Sequence, residues 1–171
     1  MEQWLQFLAQ QGAEFGAGPA PEVLGFGDAG AGLPAADFVA PLTGLGLIAA
    51  SGDEAAHFLH NQLTNDVEHL GTDEARLAGY CTPKGRLLAT MLIWNRGDAI
   101  LLQMPRAILP PLQKRLQMFV LRAKVKLADA SDQYAILGLA GARAGTLLGR
   151  WFDALPAAPY GAVHGTAGTL I

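Results

Sequence analysis

A single cysteine, four histidines and a lysine beside a glycine turn are the side chains whose chemistry matters most in this sequence. The cysteine lies in GYCTPKGRLLATM (79–91). A thiol becomes a nucleophile when a helix N-terminus, a cation or a histidine lowers its pKa. Around Cys81 the sequence offers only Lys84, across a Thr-Pro-Lys-Gly turn. Cys81 therefore reads as a half-buried strand residue rather than a catalytic thiol. His57, His60 and His69, with Asp53 and Asp66, invite comparison with a metal site. His57 and His60 share one side of a helix, but the tight ligand pairs and matching acids usual for zinc are missing, and no metal is expected. Neither a G-x-S-x-G elbow nor a Walker loop occurs, and no carboxylate pair stands out as acid and base. GFGDAG (25–30) is a formal G-x-G-x-x-G, which works only between a strand and a helix. Pro19 and Pro21 before it, and Gly30, Gly32 and Pro34 after it, deny that context, so no dinucleotide site is expected.

Two stretches remain: HNQLTNDV (60–67) and GYCTPKGRLL (79–88). The first places Asn61, Thr64, Asn65 and Asp66 where a helix ends, and short polar side chains there satisfy its last carbonyls. The second is a hairpin. Its Gly85 permits positive φ or close backbone approach, and Lys84 and Arg86 put cations at its tip.

The elements that must carry these stretches follow from periodicity. Residues 1–10 alternate at helical spacing, and 12–41 is a loop-rich segment full of Gly, Ala and Pro. A short apolar strand is predicted over 44–51. A helix follows over 51–63, with Ser51 or Asp53 as its N-cap. After a polar connection (64–75), strands are predicted at 76–81, 86–95 and 99–104, joined by turns at 82–85 and 96–98. The next helix runs from Pro110 or Pro111 to Met118, with Leu112, Leu116, Phe119 and Val120 on one buried face. Its prolines fit the first turn, where a missing N–H costs nothing. A half-exposed strand (123–129), a fully apolar strand (134–141) and a helix (142–152) complete the pattern. The order β-α-β-β-β-α-β-β-α predicts an α+β fold, with a largely antiparallel sheet and helices on one face.

With 171 residues, 51% of them apolar and 16% charged, the chain has the composition of one soluble globular domain. No uninterrupted apolar run approaches the ~18 residues of a membrane span, so no membrane partner is expected. The first residues carry acids where a signal peptide has bases. One cysteine forms no internal disulfide, which fits a reducing cytoplasm. Charge is uneven: residues 1–75 hold eleven acids and no Lys or Arg, while 76–171 hold twelve bases and four acids. Either the two segments neutralise each other on packing, or the later one forms a basic face for an anion. Lys114, Arg115, Arg122, Lys124 and Lys126 dominate such a face.

FLHNQLTNDV, YCTPKGRLLATMLIW, KRLQMFVLRAKVKL and YAILGLAG, in this order between about residues 42 and 148, resemble folate-binding proteins related to the aminomethyltransferase (T-protein) of the glycine cleavage system. The likeness is to the branch that assists iron-sulfur cluster assembly and tRNA modification. It implies a ring of three domains around a tetrahydrofolate. Residues 42–155 would be the first domain, 1–41 a loop-rich leader with a short helix, and 156–171 the start of a following segment in a chain that is expected to be truncated. True aminomethyltransferases carry Gly-Gly-x-x-Asp-Asp at the strand opening. Here Ala89 and Thr90 stand at the two acid positions, and neither ionises near neutral pH. The iron-sulfur branch also lacks that acid. Its Lys-Gly-Cys-aromatic-x-Gly-Gln-Glu signature does not occur in these residues either.

The resemblance thus implies a non-catalytic, cytoplasmic folate-binding accessory protein, with iron-sulfur proteins or tRNA-modifying enzymes as partners and no direct contact with nucleic acid. A flat pterin with an anionic glutamate tail needs apolar walls, a few polar contacts and a cation at the mouth. Tyr80, Leu88, Met91 and Ile93 are the expected walls. Asn65 and Asp66 are the expected contacts to the pterin edge, and Lys84, Arg86 or Arg122 would meet the tail. Folate binding by these residues alone is expected to be weak or absent. The alternatives are a folate-dependent, aminomethyltransferase-like enzyme, or a domain whose basic 114–126 face binds a protein or RNA.

Overall fold

The computed structural model describes residues 2–18, 21–27 and 37–171; GFGDAG lies partly outside them. Helix α1 (Glu2–Gln10) leads into an antiparallel hairpin of β1 (Ala13–Phe15) and β2 (Val23–Phe26), followed by β3 (Phe38–Pro41). The sequence predicts only loop over 12–41. Strands of three or four residues are too short to show a period, and pairing rather than pattern creates them. The Val23 N–H donates to Thr43 Oγ1 at 2.8 Å and ties the hairpin to the body.

That body is built from β4 (Leu45–Ser51), α2 (Ala55–His60), β5 (Ala75–Cys81), β6 (Leu87–Asn95), β7 (Ile100–Pro105), α3 (Leu109–Val120) and β8 (Lys126–Asp129). The five strands lie in the order β5-β6-β7-β4-β8, antiparallel throughout. The predicted meander is present, and β4 inserts between it and β8. Register aligns Ile93, Leu102 and Ile48 across one face, with Ile100, Ala50 and Leu127 in the next row. Onto this face pack Phe58 and Leu59 of α2 and Leu109, Leu112 and Leu116 of α3, all buried. Each large aliphatic so buried contributes about 1.5–3 kcal/mol. Both helices therefore lie on one face, as predicted. The opposite face gathers Leu47, Trp94 and Leu101 with Tyr134 and Ile136. Because β4 is covered on both faces, its sequence reads as an apolar run without alternation.

Several boundaries move for identifiable reasons. Neither Ser51 nor Asp53 caps α2; Glu54 occupies the N-cap position and makes no side-chain cap bond. Gly52 has φ +116°, and a Cβ there would stand 2.2 Å from the Lys124 carbonyl oxygen. The chain must clear that backbone before it turns helical, and Glu54 Oε2 accepts the Lys124 N–H at 2.5 Å instead of capping. Helix α3 holds its two prolines in the first turn and runs on to Val120. Its covered stripe is Leu109, Leu112, Leu116 and part of Val120. Phe119, at the margin of that stripe in the last turn, is 46% exposed. The apolar strand predicted at 134–141 is shorter, as β9 (Leu137–Ala140), and it pairs with β3 rather than joining the main sheet. Apolar composition marks a strand without saying which sheet takes it. Helix α4 (Ala144–Leu148) keeps only five residues of the predicted 142–152. Gly145 and Gly149 weaken that helix. The last residues form a hairpin of β10 (Val163–Gly165) and β11 (Gly168–Leu170). Among the described residues no helix is long and apolar enough to cross a membrane.

Several outward main-chain groups on the edge strands are occupied. Along β5, the Thr64 N–H donates to the Gly79 carbonyl (2.9 Å) and the Gly79 N–H to Thr64 Oγ1 (2.7 Å). The Ala75 N–H reaches the Tyr160 carbonyl at 2.7 Å. At β8, the side-chain amides of Gln113 and Gln117 donate to the Leu127 carbonyl at 3.2 and 3.3 Å.

Candidate functional site

The turn at 82–85 sets where β6 begins. The Gly85 N–H donates to the Thr82 carbonyl, the Thr82 N–H to the Arg86 carbonyl, and the Arg86 N–H to Thr82 Oγ1. Gly85 takes φ +76°, the conformation its residue type predicts. Pairing between β5 and β6 shifts register between Tyr80 and Cys81, opposite the start of β6. Tyr80 pairs with Ala89 and Cys81 with Leu87, which leaves Leu88 without a partner residue on β5.

Beside this irregular strand start, α3 forms the other wall of a groove of about 410 Å³. Buried Ala89 and Leu112 make its base, and Leu88, Ile108, Pro111 and Met118 its apolar sides. Lys114 and Arg115 stand exposed on its rim. Among the described residues neither cation has a carboxylate partner, whereas Arg76, Arg106 and Arg143 are each paired. Apolar sides, few polar atoms and free cations at the rim suit a flat aromatic anion. A second cavity of about 370 Å³ lies between the β3–β9 pair and α4, and Asp37 and Arg143 are among its lining residues. An ion pair joins those two at 2.6 Å, and the Arg143 hydrogen bonds hold the Asp37 carboxyl below its ordinary range. None of the side chains singled out from the sequence as folate contacts lines that cavity.

Of the expected folate contacts, Leu88 alone lines the first groove. Tyr80, Met91 and Ile93 share a sheet face, as their alternation requires, but that face lies under the helices and all three are buried in the core. Lys84 and Arg86 are exposed at the hairpin tip, and Arg122 is exposed just past α3. Cys81 is the half-buried last residue of β5.

Asn65 and Asp66 organise the loop that covers β5. The Asn65 amide donates to the Leu77 carbonyl at 2.9 Å, and its oxygen accepts the Asp66 N–H at 2.7 Å. Asp66 holds two imidazoles: Oδ1 lies 3.1 Å from His60 Nδ1, and Oδ2 lies 2.8 Å from His69 Nδ1. Partial desolvation pushes the Asp66 carboxyl up, but hydrogen bonds from the His69 backbone and ring, with the fields of His69 and His60, outweigh it and leave the pKa lowered. His57 Nδ1 meets Glu68 Oε1 at 2.5 Å, and that bond lowers the Glu68 pKa. Arg76 reaches the Asp66 and His69 carbonyls and pairs with Glu74. Among the described residues no three His, Cys, Asp or Glu side chains are arranged to hold a metal ion.

The groove contributors missed by sequence reasoning are Ile108, Pro111 and Met118, together with Lys114 and Arg115 in this role. The two cations were visible as part of a basic run. Their place opposite Leu88 depends on how α3 crosses the sheet, and no local pattern encodes that.

No protein-family model matches the chain. Curated relatives include the tRNA-modifying protein YgfZ of Photorhabdus laumondii, 28% identical over 126 residues, covering 74% of this chain and 38% of the relative. Another is the tRNA-modifying protein YgfZ of Colwellia psychrerythraea, 29% identical over 119 residues, covering 70% and 36%. This chain thus spans well under half the length of either relative. Among solved structures, the glycine cleavage system aminomethyltransferase T from Bartonella henselae aligns with a TM-score of 0.71 at 18% identity, over 86% of this chain and 42% of that one. The chain is thus similar to YgfZ proteins at 28% and 29% identity, and it shares the α+β fold of aminomethyltransferase T.

Proposed function

We propose that this chain is part of a cytoplasmic, non-catalytic folate-binding accessory protein that serves tRNA modification or iron-sulfur cluster assembly. A reduced folate lies in the groove between β6 and α3. Its pterin rests on Leu88, Ala89 and Met118, and its glutamate tail meets Lys114 and Arg115. The observation that carries this reading is Ala89. It pairs with Tyr80 in the sheet, is 5% exposed and forms the groove's base. The resemblance to aminomethyltransferases aligns this position with an aspartate. A methyl group there leaves a surface that can hold the ring but has no proton to give or accept. The names of the relatives supply the setting in tRNA modification.

The chain forms one wall of what longer relatives would enclose, so its affinity is expected to be low. Amide chemical shifts under titration with 5-formyltetrahydrofolate detect weak binding and locate it. Shifts are expected at residues 88–89 and 111–118, and the double variant Lys114→Glu, Arg115→Glu should weaken binding at least about tenfold, the loss of one or two charge-assisted contacts. If no shifts appear around the groove at millimolar folate, the proposal fails.

A further inference from the structure

We infer that the outward face of the C-terminal end of α3, together with the chain leading into β8, docks a single-stranded segment of RNA. Three independent features meet there. Arg115, Arg122, Lys124 and Lys126 are all exposed, and none has a carboxylate partner among the described residues. Phe119 is a large aromatic left 46% exposed in this region. It follows Arg115 by four residues and precedes Arg122 by three, so its ring neighbours a guanidinium-bearing residue on the helix surface and lies close to another just beyond the helix end. The other side of α3 is already committed, since Leu109, Leu112 and Leu116 are in the core.

An exposed ring between cations is what an unpaired nucleotide strand uses. The bases stack on the ring while the phosphates meet the charges, and sequence matters little. An acidic peptide would use the cations but has no need of a planar ring. An anionic bilayer would use the cations together with exposed Met118, Phe119 and Leu121, and the vesicle arm of the test separates it from RNA. The surface shares Arg115 with the folate groove, while Phe119, Lys124 and Lys126 do not line that groove.

The test is fluorescence anisotropy with labelled 12-mer oligouridylate and oligoadenylate, run across a salt series. Binding is expected to weaken linearly in log–log form as salt rises. Phe119→Leu keeps an apolar side chain but removes the ring, and it should weaken binding about tenfold. Lys124→Gln with Lys126→Gln should weaken it and flatten the salt slope by about one to two. Circular dichroism and the dispersion of the amide spectrum of each variant verify that the fold survives. The inference is overturned if Phe119→Leu binds as tightly as the parent. It is equally overturned if polyglutamate competes as well as RNA does, which would identify an acidic protein partner, or if phosphatidylserine vesicles bind while oligonucleotides do not.

Discussion

Asp66 shows how a residue picked for one job can be fully employed in another. Its carboxylate touches His60 and His69, and its carbonyl accepts from Arg76. Its folded-state pKa lies below the ordinary value of 3.8. A depressed carboxylate contributes stability above its unfolded pKa and loses it as pH falls through the folded value. Asp66→Asn should therefore destabilise the chain in urea titrations near pH 6, and the gap between variant and parent should close as pH falls below about 4. A gap that persists unchanged at pH 3 would show that the carboxylate's charge is not what matters. The sequence displayed Asn65 and Asp66 as polar side chains past a helix. It could not display that the Asn65 amide reaches the Leu77 carbonyl, because that bond depends on how a loop lies against a strand twelve residues on. The same limit applies to Tyr80, Met91 and Ile93. Alternation shows that residues share a face, not whether helices cover it.

Among the elements, α3 was the most legible, and its end was the least. Two prolines fixed its start, since few other places tolerate them. Its end has no glycine. Leu121 closes the helix at φ +46°, ψ −103°, with its side chain 87% exposed. A branched aliphatic residue in this backbone region is strained by about 1–3 kcal/mol, and burial returns nothing at this exposure. Leu121→Gly is expected to raise unfolding stability by about 1 kcal/mol, read as a higher denaturant midpoint at constant slope. A lower midpoint would mean that Leu121 makes contacts in solution that outweigh its strain. The meander β5–β6–β7 was legible because turn residues separated clear apolar runs. The β3–β9 pair was not, because its partners lie about a hundred residues apart and neither strand exceeds four residues.

For the molecule as a whole, the charge split of the sequence is only partly neutralised by folding. Asp37 with Arg143 bridges the acidic and basic segments. Arg106 pairs with Asp132 inside the basic segment, and the histidines pair with acids inside the acidic one. Among the described residues the cations of 114–126 have no carboxylate partner. A chain of formal charge −3 is therefore expected to be retained on immobilised heparin at low salt and pH 7. It should elute as the Debye length shrinks to about 10 Å near 0.1 M salt. Passage without retention would mean that the acidic surface dominates the field at that distance.

The bonds along both borders of the sheet carry a consequence for recognition. Thr64, Asn65 and Tyr160 occupy the main-chain groups of β5, and two glutamines occupy the Leu127 carbonyl of β8. A guest polypeptide in extended form finds no ladder to zip onto at these positions, and stacking of one copy on another through them is barred in the same way. Recognition at these positions then falls to side-chain chemistry, where a single substitution can rewrite it.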